Sequence, residues 1–348
     1  MRAEQRVAAY GVCRTARDGG GVVLARASAR SDLRGRWFLP GGGLEHGEDP
    51  AAAVARWFAA ATGLRVAVTG LRDVLDDIVD LPHRAASVHT VRIVFDVREL
   101  GDGPATLGDT GGDGLTDRVA VVGVDDADDL PLMPFAARVL GLSRPDPVVP
   151  VPPDLAPGGA GGSPAAAPAP TRVRRQRVGV YGLVESGGHV LLTRLSARTP
   201  APGRWTLPGG GIHHGEAVRR ALEREVHEES GLRLRSADLR AAVSHRFLGT
   251  SPAGIAEDYH GVQVLFTARV APDTRGVLPP PRVVEPEGTT DAVAWAPLAD
   301  AHSWGLTGMA AHGLTLLAGD PRARGGAPDP GPDPTVDLAA DPAVLPVA

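Results

Sequence analysis

Between positions 224 and 229 the chain reads Arg-Glu-Val-His-Glu-Glu, which sets Glu225, Glu228 and Glu229 at i, i+3 and i+4. On a helix these three carboxylates share one side, within an arc of about 100°, with the apolar row Val218, Leu222 and Val226 beside it. Like charges at such spacing repel by a few tenths of a kcal/mol per pair when solvated, and by far more when partly buried, unless a cation holds them. Hard oxygen donors with no Cys or His among them suit Mg²⁺ or Mn²⁺. The preceding Gly209-Gly210-Gly211 lets backbone approach a metal or a phosphate, and its place ahead of a helix N-terminus favours an anion. An isolated Glu-Glu pair would read as a solvated acidic face paired with arginine. The spacing of the wider segment decides between the two.

Gly210, Glu216, Arg224, Glu225, Glu228, Glu229, Gly231 and Leu232 stand at the fixed intervals of the Nudix box. The segment closely resembles the Nudix hydrolases, Mg²⁺-dependent enzymes that cleave a diphosphate linked to a further moiety, usually a nucleoside. The resemblance implies that Glu225, Glu228 and Glu229 are metal ligands together with the carbonyl of Gly209. It implies that Glu225 orients or deprotonates the attacking water, that Arg224 fixes a neighbouring Glu, and that Glu216 sits at the helix start, where a carboxylate suits the helix dipole. Some members recruit a carboxylate from a late loop, which makes Glu287 in Val284-Glu285-Pro286-Glu287-Gly288 a further candidate. His213 departs from the pattern, standing where the family often has an acidic residue; His214 and His227 read as exposed polar residues, and His260 as packed at a strand start. The alternative function is a nucleotide-sensing or binding regulator without significant turnover. Such regulators usually carry a winged helix for DNA, and no basic recognition segment is present here.

The elements that must carry these residues occur twice. Gly35-Arg36-Trp37-Phe38-Leu39-Pro40-Gly41-Gly42-Gly43 returns as Gly203-Arg204-Trp205-Thr206-Leu207-Pro208-Gly209-Gly210-Gly211, an offset of 168 from Arg36 to Arg204. Further out, Arg6, Tyr10 and His89 face Arg177, Tyr181 and His260 at 171. Insertions in turns would explain the drift. The first copy keeps Gly42, Glu48, Arg56, Gly63 and Leu64 but has Trp57, Ala60 and Ala61 in place of the three carboxylates. An indole and two methyl groups hold no metal, so residues 1–142 read as a degenerate Nudix domain and 172–319 as the catalytic one. The role of the first copy is either that of a covalently linked partner in an intramolecular pseudo-dimer or that of a ligand-sensing module.

In the second copy, 178–184 and 190–195 flank a hairpin signal, Glu185-Ser186-Gly187-Gly188-His189. A short strand at 204–207 runs into the glycine loop, a helix over 216–230 stops before Gly231, 262–270 and 292–296 read as strands, and 306–317 as a closing helix. The expected class is α/β (α+β): two α/β/α sandwiches, each with a mixed sheet. Residues 143–171, rich in Pro, Ala and Gly, read as a linker, with the basic run at 172–177 as its solvated end; 320–348 reads as a disordered tail.

The 348 residues include 45 Gly and 32 Pro, an excess that this linker and tail absorb. Every one of the 36 basic residues is arginine, as codon usage in a GC-rich genome would give. A net charge of −5 argues against a stable nucleic-acid partner, and the single Cys13, in an apolar run, against a disulfide framework. No apolar stretch approaches membrane-spanning length. The expected location is the cytoplasm, and the expected partner a small nucleotide diphosphate.

Overall fold

The computed structural model describes residues 1–31, 33–82, 85–101, 114–142, 172–250, 254–270, 277 and 279–318. The expected linker at 143–171 and tail at 320–348 lie outside the described residues. The chain divides into two compact units, Met1–Pro170 and Thr171–Ala348, which repeat one order of elements. In the first unit β1 (Arg2–Thr15), β2 (Gly21–Ala27), β3 (Trp37–Phe38) and β4 (Gly41–Gly43) precede α1 (Pro50–Thr62); β5 (Val66–Leu81), β6 (Ala86–Glu99), β7 (Thr116–Val122) and α2 (Pro134–Leu140) follow. In the second, β8 (Val173–Ser186), β9 (His189–Leu195), β10 (Trp205–Thr206) and β11 (Gly209–Gly211) precede α3 (Val218–Ser230); β12 (Leu234–Thr250), β13 (Ala256–Val270), β14 (Thr290–Pro297) and α4 (Gly308–Leu317) follow.

Each unit builds a seven-stranded sheet. The orders are β3-β2-β1-β6-β5 and β10-β9-β8-β13-β12, with β4 and β11 pairing on β1 and β8, and β7 and β14 pairing on β2 and β9. The β1–β6 and β8–β13 pairs are parallel within otherwise antiparallel sheets. Successive strand residues point to opposite faces, and β8 shows what covers each. A Cβ on Gly182 would lie 3.4 Å from Leu222 and 3.6 Å from Val226 of α3, while a Cβ on Gly313 of α4 would meet the neighbouring Leu183 at 2.8 Å. The helices therefore cover opposite faces, the expected α/β/α sandwich. In the first unit Gly11 faces Val54 and Phe58 of α1, while the Tyr10 ring packs 4.5 Å from that of Phe135 in α2. The α4-side core of the second unit gathers Tyr181, Leu183, Leu192, Leu207, Leu265, Met309 and Leu314, each large side chain contributing roughly 1.5–3 kcal/mol.

The drift between 168 and 171 has two local origins. Five residues join β1 to β2, but only Gly187 and Gly188 join β8 to β9, with φ of 55° and 77°, as a two-residue hairpin turn requires. The second copy recovers three residues later: Leu71 opposes Phe95, whereas Leu239 opposes Phe266. Two expectations shift. The basic run at 172–177 belongs largely to β8, where Arg175 pairs with the buried Glu257 at 2.9 Å. Helix α3 starts at Val218, two residues later than the pattern suggested, and ends on Gly231 (φ 70°), whose N–H donates to the carbonyl of His227. No helix among the described residues is long and apolar enough to cross a membrane.

Candidate active site

The glycines at 209–211, read from sequence as a loop, form β11 and pair with β8, Gly209 opposite Tyr181 and Gly210 opposite Val180. Gly209 has φ 149°, and a Cβ there would fall 2.1 Å from the Val180 carbonyl oxygen; no other residue fits. A Cβ on Gly210 would fall 2.6 Å from Oε2 of Glu225. The bare backbone of β11 is thus the cradle in which the Glu225 carboxylate lies.

Arg224 organises the polar face of α3. It forks Glu216 through Nε (2.8 Å) and Nη2 (3.0 Å), donates to the Gly211 carbonyl at 2.9 Å, and bridges Glu225 (2.8 Å) and Glu228 (3.0 Å) through Nη1. Glu216 lies outside the helix, a correction to its expected place at the helix start. Its carboxylate answers the Arg224 fork and the His213 N–H (3.0 Å) instead of the helix dipole. Burial pushes its carboxyl up, but the Arg224 hydrogen bonds, the His213 N–H and the Arg224 charge together hold it below the usual range.

Glu229 turns inward and is 8% exposed. Its Oε2 accepts the Gly209 N–H at 3.0 Å and its Oε1 accepts the Thr290 hydroxyl at 2.5 Å. Burial pushes its carboxyl up to about 8, against these two hydrogen bonds and with help from the Glu225 charge. Glu225 is raised too, chiefly by burial, with Arg224 opposing. Among the described residues, no group of three or more His, Cys, Asp or Glu side chains stands ready to hold a metal ion; the Arg224 guanidinium bridges two of the carboxylates and the third is hydrogen-bonded inward.

Glu287 is 83% exposed and pairs with Arg198 at 2.5 Å, so its contacts do not bring it to the helix carboxylates. Its loop is nevertheless fastened to the end of α3. The N–H groups of Arg282, Val284 and Glu285 donate to the carbonyls of Ser230 (2.9 Å), Glu228 (2.9 Å) and Glu228 (3.1 Å). His213 is exposed, 3.7 Å from Glu216. His227 is half-buried, with Nδ1 buried and unpaired. His260 is fully buried within β13, beside Gln176 at 2.9 Å. Sequence reasoning missed Thr290, the hydroxyl partner of Glu229. Its signal was the recurrence of a threonine at the same register in both copies, Thr116 opposite Ala27 and Thr290 opposite Leu195.

The first unit keeps the scaffold and loses the carboxylates. Arg56 forks Glu48 at 2.6 and 2.7 Å and donates to the Gly43 carbonyl at 3.2 Å. Where Glu225 would lie, the Trp57 indole donates to the Gly43 carbonyl at 2.9 Å, and a Cβ on Gly42 would fall 2.5 Å from its ring. Ala60 and Ala61 complete the replacement.

A family model, the NUDIX domain, matches residues 5–140 and 173–314. Among curated proteins, the nucleoside triphosphatase NudI of Salmonella agona (strain SL483) is 42% identical over 66 residues, 19% of this chain and 47% of the relative. The nucleoside triphosphatase NudI of Klebsiella pneumoniae (strain 342) is 44% identical over 61 residues, 17% and 43%. The chain spans a little under half the length of the curated relatives it matches. Among solved structures, a MutT NUDIX hydrolase from Burkholderia pseudomallei is 31% identical, covering 41% of this chain and 98% of that one, with a TM-score of 0.33. The NUDIX domain of Shewanella oneidensis NrtR, complexed with ADP ribose, is 19% identical, covering 46% and 93%, with a TM-score of 0.30.

Proposed function

The chain belongs to the NUDIX domain family, and from that premise we propose that its second unit is a Mg²⁺-dependent pyrophosphohydrolase, cleaving the diphosphate bond of a nucleoside diphosphate linked to another moiety. The first unit, in this reading, is a degenerate partner without chemistry of its own. The observation that carries the proposal is the contrast between the copies: one Arg–Glu scaffold on one glycine strand, with Glu225, Glu228 and Glu229 in one copy and Trp57, Ala60 and Ala61 in the other. The curated relatives are nucleoside triphosphatases, which puts nucleoside triphosphates first among the substrates to test.

The donor set fits a hard divalent cation. Glu225, Glu228, Glu229 and the Gly209 carbonyl offer oxygen alone, and the missing Cβ of Gly210 leaves room for the Glu225 carboxylate against the backbone. These groups would hold Mg²⁺ or Mn²⁺, which when bound neutralises the charge developing on the bridging phosphate oxygens. Arg224 keeps Glu225 and Glu228 in fixed rotamers while anchored on Glu216 and Gly211. Burial raises the Glu225 carboxyl and so makes the carboxylate a better acceptor for a proton from the attacking water. Thr290 and the Gly209 N–H orient Glu229.

The test is hydrolysis by the full chain across nucleoside triphosphates and nucleoside diphosphate derivatives, with Mg²⁺ or Mn²⁺ and with a chelator, reading released phosphate or pyrophosphate. Turnover that the chelator abolishes supports the reading. A folded chain that hydrolyses nothing but binds nucleotides would overturn it in favour of a nucleotide-sensing regulator.

A further inference from the structure

Gln263 is 7% exposed, and its side-chain oxygen is buried without a hydrogen-bond partner. An unpaired buried acceptor is destabilising, so the fold alone gives no reason for glutamine there. Gln263 opposes Gly179 on one side and Val243 on the other, and the residue two before it on β13 is Gly261. It shares its face with Leu265, hence with the core under α4. The row across the sheet runs Gly211, Gly179, Gln263, placing Gln263 roughly 10 Å from the box strand, two strand spacings. The Tyr181 ring joins the two regions, because a Cβ on Gly179 would touch it at 3.0 Å and a Cβ on Gly209 of the box strand at 2.8 Å.

The first copy shows the same place filled from within. Arg92, at the register of Gln263, opposes Ala8 and Leu75. Its guanidinium lies 4.5 Å over the Phe135 ring, pairs with Asp77 and donates to the Tyr10 hydroxyl at 2.7 Å. In the second copy the counterparts of Asp77 and Phe135 are His245 and Met309, and the arginine is gone.

We infer that Gln263 is a specificity-determining residue of the second unit. Its side-chain amide reads the polar edge of a nucleobase that presents an N–H donor, while the phosphates reach the carboxylates of α3 past the bare backbone of β11. The inference rests on the pyrophosphohydrolase reading for the placement of the phosphates and adds what recognises the other end of the substrate. A glutamine amide offers one acceptor and two donors in a plane, the complement of a base edge. Arg92 closes that place in the first copy, so base recognition, like the carboxylates, is confined to the second.

The experiment compares the full-length wild type with Gln263→Leu and Gln263→Glu, measuring kcat/KM for ATP, GTP, CTP and UTP with Mg²⁺, and equilibrium binding of the same four nucleotides by calorimetry. Gln263→Leu removes the unpaired oxygen at similar volume, so a melting temperature equal to or above the wild type's certifies the fold. The expected result is that the wild type ranks the four bases and that Gln263→Leu compresses the spread by about tenfold or more, as losing a paired base edge does. Gln263→Glu, an acceptor without donors, should change the order. A ranking and spread unchanged in both variants would overturn the inference even if hydrolysis is vigorous. If the wild type binds the nucleotides but turns none over, the hydrolase reading fails, while the affinities still decide the role of Gln263 by the same criterion.

Discussion

Burial and charge are most at odds in Glu229. Its carboxyl is enclosed, held by one backbone N–H and one hydroxyl, and its pKa is raised to about 8 against an ordinary 4.5. With divalent cations removed, the unfolded chain loses this proton near pH 4.5, whereas the native chain keeps it to about pH 8. Stability should therefore fall as pH rises between those values, by at most about 1.4 kcal/mol per unit from this group. Urea denaturation at pH 5.5 and 7.5 in a chelator measures the fall, and Glu229→Gln should flatten it relative to wild type. The same substitution keeps the shape and removes a charge proposed to hold the cation, so turnover should drop by about 10²-fold or more. Near-normal turnover would mean that the cation is held elsewhere.

At the scale of elements, the sequence was clearest where a pattern repeated at the period of the structure. Helix α3 was legible because Val218, Leu222 and Val226 recur at helical spacing and Gly231 closes it in the left-handed region; the β8–β9 hairpin was legible from its glycine pair. Strand β12, the longest in its sheet, went unmarked because register shifts between Leu234 and Ser236 and between Leu239 and Ala241 break the alternation a strand is recognised by. Strand β11 had no side chains to alternate. Gln263 and Thr290 were illegible for another reason: a single polar residue in an apolar strand acquires meaning only from the strand beside it. The glycine cradle provides the test at this scale. In Gly210→Ala the new Cβ would sit 2.6 Å from the Glu225 carboxylate, and because α3 is packed on the sheet through Leu222 and Val226, the carboxylate must move. Activity should fall by about tenfold to a hundredfold, as expected for a catalytic group displaced by about an ångström, with a small change in melting temperature. Gly42→Ala, which meets the Trp57 ring in the first unit, should cost stability and leave kcat untouched. Equal losses of kcat in both variants would contradict the assignment of chemistry to the second unit alone.

For the whole molecule the question is why a chain retains a copy without the carboxylates. The first unit is not decayed in its packing: Arg56 still forks Glu48, Trp57 fills the cradle with a hydrogen bond of its own, and Arg92 pairs with Asp77 and the Tyr10 hydroxyl. At these three positions the side chains find partners within the unit, which describes a scaffold better than a remnant. In the proposed reaction the charge that develops on phosphate would be met by the cation that Glu225, Glu228 and Glu229 would hold, all in the second unit, so the bond-breaking step should not depend on the first. Comparing the full chain with residues 172–348 tests the division. Removal of the first unit should change melting temperature, KM or oligomeric state while kcat stays within a few-fold. A large fall in kcat with KM and oligomeric state unchanged would mean that the first unit stabilises the transition state, and Arg56, Trp57 and Arg92 would then be the first residues to substitute in the full chain.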